Sequence, residues 1–520
     1  MTVTLATAPT GTTLQRLAEA AWQRVGDRST LIFEGERFDS ATLAARTRRF
    51  SQGLRDAGLR PGERVVVCMA NCAEVGIAYN AIWRAGGVTT PVLFLLSEEE
   101  LRHVLADSEA AYVVTTPEFL PKVQAAAAGV DIVRGVVLAG PPAPDTLSFA
   151  ELESGADGDI VDAEPSSLAA LLYTGGTTGR SKGVMLSHDA MSASAWAATT
   201  MGYDPQMHTS LTPLPLSHAF GLLVSTLSLH APDPGTAVLM RWFDPVGWLA
   251  LAQEHKVQVG AVVPSMLQMV LAQPLEDYDL SALRRIASGA APLLSETREE
   301  VSRRLPQVEL AEGYGCTESG ALISASPLGA VRAGSVGRPA PGVEVRIETA
   351  DGAEAAAGDE GEICVRGPNL MTGYWHAEPE TAFAMRGGWL HTGDVGRIDD
   401  DGYLYVVDRL KDLIIRGGLN VYPRDIEDQM LCHPDVVSAA VVGKPDPTYG
   451  EEVVAFVQLR PGATTTEAEL VDYARAHISK AKYPRDVRIV DAIPLTSVLK
   501  TDRKALRALV AAAVPAGAAG

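Results

Sequence analysis

The sequence of 520 residues predicts an α/β protein. Its expected parts are a large N-terminal domain of doubly wound, mixed and parallel sheets with a small β-barrel-like subdomain, and then a small α+β C-terminal domain. Three features predict this. Strand-like and helix-like segments alternate through the first third, the stretch 331–408 turns to short β-rich runs, and a mixed pattern returns after DRLKD (408–412). In the first third, RVVVCMA (64–70) is an apolar run of buried-strand length, with Asn71 as N-cap of a helix towards Arg84. VTTPVLFL supplies a second strand, and Ser97 with Glu100 makes a capping-box pattern that opens the helix EEELRHVLADS. AYVVTT (111–116) is a third strand. Repeated β-α-β units lay such strands side by side with helices on the sheet faces. VEVRIE, GEICVRG and GYLYVVD, separated by Gly and Asp turns, make up the β-rich subdomain. The expected limits are 1–408 for the N-terminal domain, 409–411 for a hinge, 412–510 for the C-terminal domain and 511–520 for a frayed, featureless tail.

A chain of this length exceeds what one core usually serves, which agrees with more than one domain. A composition of 47% hydrophobic and 21% charged residues is that of a folded protein, since disorder needs far fewer apolar groups. The formal net charge of −20 argues against a nucleic-acid partner, which calls for a basic surface. Small anionic ligands remain compatible, because a local pocket can be rich in backbone N–H groups. Five cysteines without metal-ligand spacing point to a reduced, cytoplasmic setting. The start MTVTLATAPTG has neither a basic n-region nor an apolar h-region, so no signal peptide is expected. Asn71, Glu74, Asn80 and Arg84 interrupt the most apolar stretch, Val65 to Leu96, so no membrane span is expected either.

The segment LLYTGGTTGRSKGVMLSH (171–188) carries the most chemistry. An apolar strand runs into Thr174, Gly175, Gly176, Thr177, Thr178 and Gly179, and then into Lys182. Small residues let backbone N–H groups approach a phosphate, hydroxyls donate further hydrogen bonds, and the lysine adds charge. No G-x-x-x-x-G-K-[ST] can be read across it, which disfavours a P-loop phosphotransferase. Further motifs follow in order: PLPLSHAFG (213–221), SGAAPL (288–293), EGYGCTESG (312–320), GGWLHTGD (387–394), DRLKDLIIRGGLNVYPRDIE (408–427) and PLTSVLKTDRKALR (494–507). Together with the phosphate-loop segment, and over nearly the whole chain, this set resembles the adenylate-forming superfamily of acyl-CoA synthetases, luciferases and peptide-synthetase adenylation domains. The likeness is greatest to the acyl-CoA synthetases.

That resemblance implies ATP, Mg2+ and coenzyme A, a small carboxylic acid as substrate, and formation of acyl-AMP and then acyl-CoA. It gives Thr174 to Gly179 and Lys182 to the β- and γ-phosphates, Tyr314 to the adenine, Thr317 to the α-phosphate and Glu318 to magnesium. Gly313 and Gly315 flank the adenine-stacking Tyr314, and Gly289, Ala290 and Ala291 line the adenine and acyl pocket. Asp394 and Arg409 hold the ribose. His218 lines the acyl tunnel with Phe220, Leu222, Val263 and Leu322, and helps to orient the carboxylate. Lys500, on a mobile C-terminal domain, stabilises charge between carboxylate and α-phosphate. Lys411 is the hinge, and Gly417, Gly418 and Asn420 serve thioester formation after the domain turns.

Three positions depart from the family pattern: Gly175 where Ser is frequent, Ser181 where Pro is usual, and Leu499 where a Gly ordinarily precedes the catalytic lysine. If position 499 needs φ > 0, leucine costs about 1–2 kcal/mol there. A half-enzyme or binding protein with impaired adenylation is therefore one alternative. A ligase that loads a carrier protein is another, although no carrier segment with an acceptor serine follows Lys500. Within PLPLSHAFGLLVST (213–226) there is no aspartate to grip a substrate amine. With the apolar tunnel residues, this points to a hydrophobic aliphatic, aryl or polycyclic acid.

Overall fold

A computed structural model describes residues 10–174, 181–233, 235–495 and 501–512. The chain divides into two compact units: Met1–Val345 with Cys364–His391 and Asp400–Leu404, and Arg346–Ile363 with Thr392–Asp399 and Tyr405–Gly520. Gly175, Gly176, Thr177, Thr178, Gly179, Leu499, Lys500 and the tail from 513 lie outside the described residues.

The first unit holds two sheets, each mostly parallel. One has nine strands in the order Arg338–Pro339, Ser324–Ala325, Glu309–Tyr314, Arg285–Ser288, Val259–Val262, Thr209–Thr212, Thr236–Leu239, Ser29–Phe33, Glu36–Asp39. Its central pairs are all parallel and in simple register, as in Ile286 opposite Leu310 and Gly260 opposite Ile286. The other has eight strands, Gly373–Tyr374, Lys182–Ser187, Leu168–Thr174, Val88–Pro91, Arg64–Cys68, Ala110–Thr115, Gly135–Leu138, Leu147–Ser148. Both sheets are buried on two faces by helices, which is why runs such as VVVC (65–68) are apolar at every position. The helix Glu98–Asp107 opens on the capping box expected of Ser97 and Glu100. Trp248, Leu249, Leu267, Ile286 and Val301 lie in the core of the nine-stranded sheet.

Asn71 departs from its expected role. The helix is Ala73–Arg84, Cys72 occupies the cap position, and no side chain caps it. Asn71 is 3% exposed; its amide donates to the carbonyls of Leu214 (2.8 Å) and Met240 (3.0 Å) and accepts from the N–H of Leu216 (2.9 Å). Three buried backbone groups need partners here. A planar amide with donors and an acceptor meets them at once, which outweighs one bond at a helix end.

The β-rich stretch contains strands Glu344–Glu348, Gly361–Arg366, Leu390–Ile398 and Leu404–Arg409. In the second unit, Leu419–Val421, Ile414–Arg416, Gly450–Leu459 and Val436–Asp446 form one sheet, with Asp486–Ile489 parallel to Gly450–Leu459. Helices Pro423–Leu431 and Glu467–His477 share its core through Ile426, Met430, Leu470 and Ala474. No described helix is long and apolar enough to cross a membrane.

Candidate active site

Four of the predicted segments leave the carboxyl ends of neighbouring parallel strands. Residues 213–221 follow Thr209–Thr212, Val263 follows Val259–Val262, Gly289 to Ala291 follow Arg285–Ser288, and Gly315 to Glu318 follow Glu309–Tyr314. The strand order turns back at Thr209–Thr212, whose other neighbour is Thr236–Leu239. Open α/β sheets bind ligands in the crevice at such a point. The segments close on one another: a β-carbon on Gly289 would stand 3.1 Å from the Gly313 carbonyl oxygen and 3.7 Å from the Phe220 ring. Leu322 is buried and Val263 half-buried. Leu222 lines a narrow apolar crevice with Leu172, Leu186, Met191 and Gly320.

His218 caps the helix Ala219–Thr226, its Nδ1 accepting the N–H of Phe220 at 3.3 Å. An accepting Nδ1 puts the imidazole proton on Nε2, so the ring has one fixed tautomer. Behind it, Asn71 secures Leu214 and Leu216. The backbone is strained nearby, because Ala290 (φ +69°) and Ala321 (φ +70°) both adopt the left-handed region. Non-glycine residues seldom do so, and such residues gather at ligand sites. At Gly315, a β-carbon would lie 2.4 Å from the Ala321 carbonyl oxygen, so only glycine fits.

Glu318 stands on a one-turn helix, Thr317–Ser319, closed by Gly320 in the left-handed conformation. The segment 369–374 braces this turn. Buried Asn369 donates through Nδ2 to the carbonyls of Ser319 (2.9 Å) and Leu322 (2.6 Å), and the N–H of Met371 donates to the carbonyl of Glu318 (2.8 Å). The Tyr374 hydroxyl donates to Glu318 Oε1 at 2.8 Å. Burial, and then the Glu318 carboxylate, push the Tyr374 phenol well above its ordinary pKa, so it remains a donor.

Thr174 and Lys182 are cross-strand partners, so the strands Leu168–Thr174 and Lys182–Ser187 flank the phosphate segment. The helix Glu98–Asp107 holds both flanks: Tyr173 OH donates to Asp107 Oδ2 (2.6 Å), and His103 Nε2 donates to the Ser181 carbonyl (3.2 Å). Lys182 Nζ lies 3.4 Å from Glu380 Oε1 and 5.6 Å from the centre of the Tyr374 ring. The donor chemistry at Glu318 suits magnesium. A half-buried carboxylate spends one lone pair on a phenol and keeps others, while Mg2+ takes one or two carboxylates together with water and phosphate oxygens.

In the second unit, buried Asp394 accepts from Arg409 Nε at 3.0 Å. Lys411 is exposed on the short helix Leu410–Asp412. The buried Asp412 beside it pairs with Arg507 (2.8 Å) and Arg503 (3.6 Å) from the helix Arg503–Ala512. Gly417 (φ +58°) and Gly418 (φ +79°) form the two-residue turn of a hairpin in which Asn420 is opposite Ile415. Two successive positive φ values are what a tight hairpin turn requires of glycine. Asn369, Tyr374, His103 and Asp107 escaped sequence reasoning, and Asn71 was given only a helix cap; the aromatic pair in GYWH (373–376), so close to an acidic helix, was the available hint.

The cleft and the acidic turn are those of a nucleotide-using α/β enzyme, and comparison gives the family. Residues 18–375 match AMP-binding enzyme, and residues 425–500 match AMP-binding enzyme C-terminal domain. The chain belongs to the AMP-binding enzyme family. It is 36% identical to 4-coumarate–CoA ligase 5 of Oryza sativa subsp. japonica, over 94% of this chain and 93% of that protein. It is 37% identical to a feruloyl-CoA synthase of Amycolatopsis sp, over 88% and 90% respectively. Among solved structures, ATP-bound MatB from Rhodopseudomonas palustris aligns with a TM-score of 0.88 at 32% identity, covering 96% of this chain and 99% of that one.

Proposed function

We propose that the protein is an acid–thiol ligase that activates a hydrophobic carboxylic acid with ATP and passes the acyl group to coenzyme A in the cytoplasm. In the first step a carboxylate oxygen bonds to the α-phosphorus and the bond to pyrophosphate breaks. In the second, the coenzyme A sulfur bonds to the acyl carbon, AMP leaves, and the thiol proton is released. The observation that carries this reading is the cleft at four strand ends, closed by Phe220, Gly289 and Gly313, whose last turn presents Glu318. In it, Tyr314 stacks on adenine, Thr317 binds the α-phosphate, Lys182 meets the outer phosphates, and Phe220, Val263 and Leu322 enclose the acyl group. Magnesium, held by Glu318, would offset repulsion between carboxylate and phosphate. His218, with its proton on Nε2, donates to the acid carboxylate. Asp394 and Arg409 are assigned to the ribose, Lys500 to the charge that develops in adenylation, and Lys411 with Gly417, Gly418 and Asn420 to the turn between half-reactions. An aryl acid such as 4-coumarate or ferulate is the first candidate, because relatives at 36% and 37% identity are named for them. Free coenzyme A is the preferred acceptor over a carrier protein for the same reason.

Acid-dependent ATP–pyrophosphate exchange over aryl, fatty and amino acids tests this. Exchange with a hydrophobic acid, abolished in Lys500→Ala, is the expected result. Exchange with amino acids alone overturns the substrate class. No exchange, alongside conversion of a supplied acyl-adenylate to its thioester, overturns the first step and makes Leu499→Gly the variant to measure.

A further inference from the structure

Two charges assigned to ATP lie on either side of one side chain. Lys182 Nζ faces the Tyr374 ring at 5.6 Å from its centre, and the same residue's hydroxyl donates to Glu318 Oε1 at 2.8 Å. Tyr374 is half-buried and belongs to the short edge strand Gly373–Tyr374, paired antiparallel to Lys182–Ser187 with Tyr374 opposite Val184. It is fastened at both ends, since its N–H donates to Thr381 Oγ1 at 2.8 Å and the neighbouring Trp375 Nε1 donates to the Asp107 carbonyl at 3.0 Å. The acidic turn and the phosphate hairpin belong to different sheets, and Tyr374 touches both.

We propose that Tyr374 is a positioning residue for the metal–phosphate end of the site: its hydroxyl fixes the Glu318 carboxylate for a divalent cation, and its ring face sets the distance of Lys182 from that cation. The inference rests on the proposed placement of ATP and magnesium at Glu318 and Lys182. A carboxylate on a one-turn helix has free rotation about its side-chain bonds unless something holds it. A hydrogen bond to a charged acceptor is stronger than a neutral one, so the phenol selects one rotamer before the cation arrives. The ring offers Lys182 a weakly attractive face, so the ammonium is held without being neutralised. Glu380, 3.4 Å from Lys182 and exposed, is its counter-ion until phosphate replaces it.

The test separates hydroxyl from ring. Tyr374→Phe keeps the face for Lys182 and removes the donor to Glu318; Tyr374→Leu removes both. Binding of ATP to the full chain without acid is measured by calorimetry, in MgCl2 and in EDTA, beside the Mg2+ concentration for half-maximal pyrophosphate exchange. Tyr374→Phe is expected to raise that Mg2+ concentration roughly tenfold and to erase most of the gain in ATP affinity from Mg2+. Its affinity in EDTA and its KM for the acid should stay at the wild-type values. Tyr374→Leu should in addition weaken ATP binding in EDTA by roughly threefold, reporting Lys182. Glu318→Gln is the reference. If it shifts the Mg2+ dependence and Tyr374→Phe does not, the role of the phenol is overturned while the site stands. If Glu318→Gln leaves Mg2+ dependence unchanged, the cation placement falls, and this inference with it. Equal losses of ATP affinity with and without Mg2+ in Tyr374→Phe would mark a purely structural tyrosine.

Discussion

The turn that carries Glu318 is proposed to hold magnesium and the segment that carries Lys411 to pivot between half-reactions, and they are held by opposite means. The first is braced by uncharged donors: the Asn369 amide, the Met371 N–H and the Tyr374 phenol. The second sits in a nest of charges. Arg503 and Arg507 converge on Asp412, Arg503 also pairs with Glu427 at 2.8 Å, and Asp408 accepts the N–H groups of Arg409 and Arg424. Amide donors on backbone carbonyls are indifferent to pH and salt and suit a turn that must not move. Charge pairs respond to both, and they can re-form in new partnerships, which suits a segment proposed to pivot.

The largest effect expected is from Asn369→Leu, which keeps volume and removes one donor from each of two buried carbonyls. A loss of about 3 kcal/mol in urea unfolding, the same at pH 6 and pH 8, is predicted. A loss that varied strongly with pH would break the contrast. Next is His188, whose burial holds its pKa at about 4 rather than 6.5 and whose Nδ1 accepts the N–H of Leu14. The unfolded chain takes up a proton below 6.5 and the folded chain does not, so stability falls as pH drops from 6.5 towards 4. That loss should approach about 3 kcal/mol and largely vanish in His188→Asn, as followed by thermal melting. It would place the acid sensitivity of the first unit away from the Glu318 turn.

A smaller change is expected from Arg503→Ala, about 2 kcal/mol at pH 8, since Glu427 and Asp412 lose a partner. Burial already raises the pKa of Glu427, and without Arg503 it rises further. A raised carboxyl favours the protonated fold, so the deficit should close as pH falls from 8 towards the usual carboxylate range. A deficit that stayed constant with pH would remove the charge-based half of the comparison. The smallest effect is that of Glu380→Gln. It frees Lys182 and should lower the KM for ATP by about twofold, without moving the melting temperature.

Much of the scaffold was legible because local rules carried it. VVVC is apolar throughout because helices cover both sheet faces, and Ser97 with Glu100 capped its helix as the pattern promised. The candidate contacts of the cleft were legible only as motifs, since Phe220, Gly289 and Gly313 meet through strand order and not through spacing. Asn71 obeyed a long-range demand that no local rule expresses: its partners Leu214, Leu216 and Met240 are 143, 145 and 169 residues away. Tyr374 and Asn369 were hidden for the same reason, because a motif names the charged residue and stays silent about what aims it.

The left-handed alanines at 290 and 321 have a consequence for how the protein can change over generations. Each is a conformation that glycine would occupy at less cost, so Ala290→Gly or Ala321→Gly should be accepted by the fold and would free the room of a methyl group where it occurs. Any larger side chain pays the conformational penalty and takes up room as well. Variation at these two positions therefore runs in one direction, so the two turns can lose bulk over generations more readily than they can gain it.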